Sequence, residues 1–166
     1  IRLADTLVMM RDGHVAATGS LQSVLTSTDP AVAALVPEGS VIDGVAARHA
    51  VDGLSRIDTP AGPLFVPQPP TDPARRVRLF SDAYDVTIAL SRPEGMSVQN
   101  VLEATLVTLE PRGDSHLDLR LALTGDQIIR ARITRHAGQT LNLHPGMTVF
   151  ALVKSVAFER RLQWQG

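Results

Sequence analysis

Apolar and polar residues alternate with a period of two along most of this chain, in short runs. Leu117-Asp118-Leu119-Arg120-Leu121 puts three leucines on one face and two charged residues on the other, as a strand buried on one side requires. Similar runs predict strands over 41–47, 54–58, 62–66, 75–80, 86–90, 103–110, 116–123, 127–134 and 148–158. Ahead of them, Thr6–Met10 and Val15–Ser20 flank the turn Arg11-Asp12-Gly13-His14 and predict a hairpin. Ser20 is expected to cap a short helix over 21–25, and 26–39 to run on as a connector with one helical turn at 31–35.

The strand pattern occurs twice. Val41-Ile42-Asp43-Gly44-Val45 is matched 60 positions later by Val101-Leu102-Glu103-Ala104-Thr105, and Pro73–Leu79 is matched 72 positions later by Pro145–Ala151. The turns at 60–62 and 124–126 are equivalent. The second copy is therefore 12 residues longer between these landmarks, and its segment 134–143, read as turn and helix, stands where the first copy has only 68–72. About five short strands per copy predict a mainly β fold of two tandem OB-like closed barrels, the second with a short helix. The expected boundaries are a hairpin unit at 1–27, a linker at 28–39, a first barrel at 40–92, a second barrel at 93–160 and a tail at 161–166.

Composition narrows the function. With a net charge of −1, aromatics at 4% and no Lys/Arg run longer than two, the chain lacks the basic stripe and stacking platforms of a nucleic-acid binder. No apolar run approaches the roughly 20 residues of a spanning helix. No signal peptide is read at the start, and without cysteine an intracellular protein is expected. The chain opens at Ile1 rather than Met, so a piece of a longer product is expected.

No residue group suggests catalysis. His14, His49, His116, His136 and His144 lack metal-ligand spacing, no Ser/His/Asp relay is apparent, and no glycine-rich phosphate loop occurs. A polar set in the second copy fits an anion better. Ser97 and Asn100 follow the 92–95 turn, Thr134 opens the inserted segment, and Lys154 interrupts an apolar strand. Together they offer hydroxyl, amide and backbone donors plus one cation, which a desolvated tetrahedral dianion needs. The alternative is plainer: Lys154 snorkels from an edge strand and 97–100 only shapes a turn.

Residues 78–90, Arg92-Pro93-Glu94-Gly95-Met96-Ser97-Val98-Gln99-Asn100-Val101-Leu102, 131–135, 143–146 and 153–158 resemble the C-terminal regulatory region of molybdate ABC transporter ATP-binding subunits, which ends in a molybdenum-binding (Mop, TOBE-like) domain. Residues 1–27 look like the last strands of such a subunit's ATPase domain. The resemblance implies OB-like barrels that form a homodimer and bind molybdate or tungstate at subunit interfaces, with no other cofactor and no nucleic acid. It implies a membrane permease as partner, through the ATPase domain, and a cytoplasmic site at the inner membrane face. It also implies an oxyanion set of Ser97, Gln99, Asn100, Thr134 and Lys154. Gln99 stands where the family usually has Arg, and Ala137 where the binding pattern has Ser. In the first copy Asp82 falls opposite Lys154, a carboxylate that would repel an oxyanion, so that copy reads as scaffold. Three classes stay open: an oxyanion-sensing regulatory region without ATPase activity of its own, a dimerisation region with a degenerate site, and an unrelated OB-type binder of nucleic acid or sugar.

Overall fold

The computed structural model describes residues 6–11, 13–20, 39–51, 53–67, 74–154 and 157–158. The helices expected at 21–25 and 31–35, the first-copy segment 68–72 and the tail lie outside them. The chain divides into two units, 1–38 and 39–166. In the first, strands β1 (Thr6–Arg11) and β2 (His14–Ser20) pair antiparallel, as the hairpin pattern predicts. Gly13 takes φ +79 at the turn, a conformation open to glycine because it has no Cβ. Val8, Met10 and Val15 are left exposed.

The second unit is almost all strand. Its first copy supplies β3 (Gly39–Val51), β4 (Leu54–Thr59), β5 (Gly62–Val66), β6 (Arg76–Asp82) and β7 (Val86–Ala89). Its second supplies β8 (Asn100–Arg112), β9 (His116–Leu123), β10 (Gln127–Thr134), helix α1 (Arg135–Thr140), β11 (Thr148–Val153) and β12 (Ala157–Phe158). The helix falls within the extra segment. Residues 90–99 join the copies as a loop.

The repeat holds at the level of single pairs. Val41 lies opposite Phe80 and Ile42 opposite Leu79. The residues 60 and 72 positions on, Val101 with Leu152 and Leu102 with Ala151, are paired likewise. Where the first copy bonds Ala46 N to Arg75 O and Ala74 N to Ala46 O, the second bonds Leu106 N to Met147 O and Gly146 N to Leu106 O. The backbone turns left-handed at the same point in both, at Ala74 (φ 63) and Gly146 (φ 90).

One feature departs from a plain tandem. The sheets run β10-β9-β8-β11-β7 and β12-β6-β3-β4-β5, so each copy's fifth strand is hydrogen-bonded into the other copy's sheet. The single strand expected over 148–158 is accordingly two strands in two sheets. The chain leaves β11 at Lys154 and crosses over to meet β6. In the second-copy sheet the edge strands β7 and β10 curl back against each other.

Burial follows the alternation. In β8, Leu102, Ala104 and Leu106 point inward, and a bulge at Val107 shifts the phase so that Leu109 faces Leu119. These side chains join Ile42, Ile57, Leu64, Leu79, Leu121 and Val149 in one core shared by both sheets. Gly44 shows how close the packing is. A Cβ there would stand 2.5 Å from Ile57 Cγ2 and 3.0 Å from the Asp58 carbonyl. Ile57 is fully buried and β-branched, so it has little freedom to give way. Gly44→Ala is expected to cost about 1–3 kcal/mol, read as a lower thermal midpoint with unchanged secondary structure.

Candidate functional site

Asn100 opens β8 and lies opposite Val153, the last residue of β11. Gln99, which precedes Asn100, and Lys154, which follows Val153, thus leave their strands at the same end of the sheet. Ser97, Gln99 and Lys154 are all exposed. Their side chains make no hydrogen bond or ion pair among the described residues. Of the five expected residues, Gln99 and Lys154 therefore leave from one end of the sheet, both exposed.

Asn100 is different. It is 5% exposed, and its side chain bridges the two copies: Oδ1 accepts from Phe65 N at 2.7 Å and Nδ2 donates to Phe65 O at 3.1 Å. The amide thus serves the edge of β5 as another strand would. Ser40, its counterpart 60 positions earlier, does the same with one bond, accepting from Arg130 N at 2.6 Å. Periodicity does not reveal this role; the sequence shows only a Ser and an Asn at matched positions just ahead of the matched runs 41–45 and 101–105.

Thr134 ends β10 opposite His116, which in turn lies opposite Arg112, the last residue of β8. The β8 register therefore separates it from Asn100 by the length of that strand. Its hydroxyl caps α1, accepting from Ala137 N at 3.1 Å. A hydroxyl that accepts a cap bond keeps its own proton to donate. No hydrogen bond among the described residues joins Thr134 to the Lys154 group.

Between the two stands a 3₁₀ turn, Ala83–Asp85, packed on β10 and β3. Arg132, 8% exposed, is held by Asp118 through two bonds of 2.6 and 2.9 Å. Its Cζ lies 5.0 Å from the centre of the Tyr84 ring, and Nη1 donates to Tyr84 Oη at 3.3 Å. The ring of His116 meets Tyr84 edge-on at 6.1 Å. Burial first, and then the like charge of Arg120, lower Arg130 below its ordinary value, while Asp118 and Glu110 act the other way. Sequence patterning missed this cluster, because cross-strand neighbours are set by register and not by spacing. No group of three or more His, Cys, Asp or Glu among the described residues is placed to hold a metal.

Residues 96–158 match the TOBE domain. Along nearly its whole length the chain is also similar to molybdenum import ATP-binding proteins. ModC of Rhizobium etli is 36% identical over 162 residues, covering 95% of this chain and 44% of the relative. ModC 1 of Azotobacter vinelandii is 39% identical over 158 residues, covering 94% and 44%. ModC of Rhodospirillum rubrum is 39% identical over 166 residues, covering 96% and 45%. The chain spans less than half of the length of these relatives. Among solved structures, the cytoplasmic molybdate-binding protein ModG, in its molybdate-bound form, superposes with a TM-score of 0.60 at 23% identity, covering 71% of this chain and 93% of ModG. That likeness is one of fold.

Proposed function

We propose that this chain is the oxyanion-sensing regulatory region of a molybdate importer's ATP-binding subunit, binding molybdate or tungstate where two copies of it meet. The observation that supports the reading is the register of Asn100 with Val153, whose exposed chain neighbours are Gln99 and the cation Lys154. The names of the relatives point to the same ligand. A dianion left on that open end would stay hydrated, and donors lose most of their strength in water. Thr134 and the start of α1 belong to the other end of β8. A two-fold pairing of chains would bring the second end of one copy onto the first end of its partner and close the site. ATP hydrolysis and permease contact, at the cytoplasmic face of the membrane, belong in this reading to the remainder of the longer subunit, of which β1 and β2 are the last strands.

A second reading, a dimerisation region with a degenerate site, draws on Asn100, whose amide is engaged by Phe65, and on Ala137 at the position of a lost hydroxyl. Calorimetry of the chain against molybdate, tungstate and sulfate separates the two. The first reading expects saturable binding of molybdate or tungstate, with light scattering showing a dimer. Absence of heat with all three anions leaves the second.

A further inference from the structure

Lys154 does not hold its own position. It stands on the crossover from β11 to β12, and its backbone N–H donates at 3.0 Å to the carbonyl of Asp85, the last residue of the 3₁₀ turn Ala83–Asp85. That turn lies on the first copy's own crossover, from β6 to β7. The exchange of fifth strands therefore lays the two crossovers side by side, and one braces the other. The turn is itself anchored at three points. Asp82 caps it, Oδ1 accepting from Tyr84 N at 2.9 Å. Ala83 is buried. Tyr84 is gripped by Arg132, which Asp118 fixes in turn.

We propose that Asp82 and the turn it caps are positioning elements that hold Lys154 for the oxyanion. The inference rests on the reading that Lys154 contacts that anion. It changes the meaning of Asp82, which the repeat places opposite Lys154. The carboxylate unsuited to binding an anion in its own copy serves the site of the other copy through hydrogen bonding. Capping and charge pull in opposite directions here. The cap steadies Lys154, while the negative charge disfavours an approaching dianion.

Two substitutions in the full chain separate these effects. Asp82→Ala removes cap and charge together, whereas Asp82→Asn keeps the acceptor, since Asn caps about as well as Asp. Asp82→Ala should weaken molybdate binding roughly threefold to tenfold, the scale of one lost cap, and speed hydrogen exchange at the Lys154 amide. Asp82→Asn should bind as well as the unaltered chain or better, with exchange at Lys154 unchanged. Thermal melts confirm that both variants are folded at the temperature of measurement. Equal affinity in the two variants, or Lys154 exchange indifferent to Asp82→Ala, overturns the proposal. If the unaltered chain binds no oxyanion, the functional reading falls, and the exchange measurement still decides whether the turn holds Lys154.

Discussion

Replacing Lys154 by alanine is expected to weaken molybdate binding by about tenfold to a hundredfold. Lys154 is the one formal cation in the expected set of five, because Gln99 occupies the usual arginine position. A hydrogen bond to a charged group contributes about 1.5–3 kcal/mol, which sets that range. Exposure of Lys154 in the single chain keeps the thermal cost small, since no core contact is lost, so a loss of affinity without a shift in thermal midpoint is the expected signature. Gln99→Arg should hold or raise affinity, because it restores a second cation beside the first. Isothermal titration of both variants checks this. An unchanged dissociation constant in Lys154→Ala would leave the degenerate-site reading standing.

The second large effect concerns stability. Asn100→Leu should lower it by about 2–4 kcal/mol, because the part-buried Phe65 N–H and carbonyl lose their partners, at roughly 1–3 kcal/mol each. Asn100→Ser should fall between, since the matched Ser40 manages one such bond. Denaturant unfolding of the two variants gives the order. If Asn100→Leu were as stable as the unaltered chain, the amide bridge would contribute nothing net.

Much of this architecture can be read from the chain because alternation and repetition are local properties. The pairing of Val101 with Leu152 follows from that of Val41 with Phe80 once the two offsets are known, and the helix lies where the offset grows. The exchange of β7 and β12 could not be read the same way. Both are short apolar runs whose flanking sequence is compatible with either sheet, and the choice between them is made by the geometry of the packed pair. The run 148–158 reads as one strand because apolar residues continue across Lys154; nothing local marks the point where the chain changes sheets. The site was legible as a set of residue types. That Asn100 is spent on the backbone of Phe65, and that Asp82 caps a turn beside Lys154, depend on contacts across 35 residues in one case and between two crossovers in the other.

The strand exchange also bears on how such a duplicated unit can be inherited. Cut in the 90–99 loop, the chain yields two pieces, each missing the strand that finishes its sheet and each carrying the one its sibling needs. A half passed on singly would have to rebuild the edge that its sibling supplies here. Joined or severed, the halves are complements, which is the condition for two separately made pieces to reassemble on mixing.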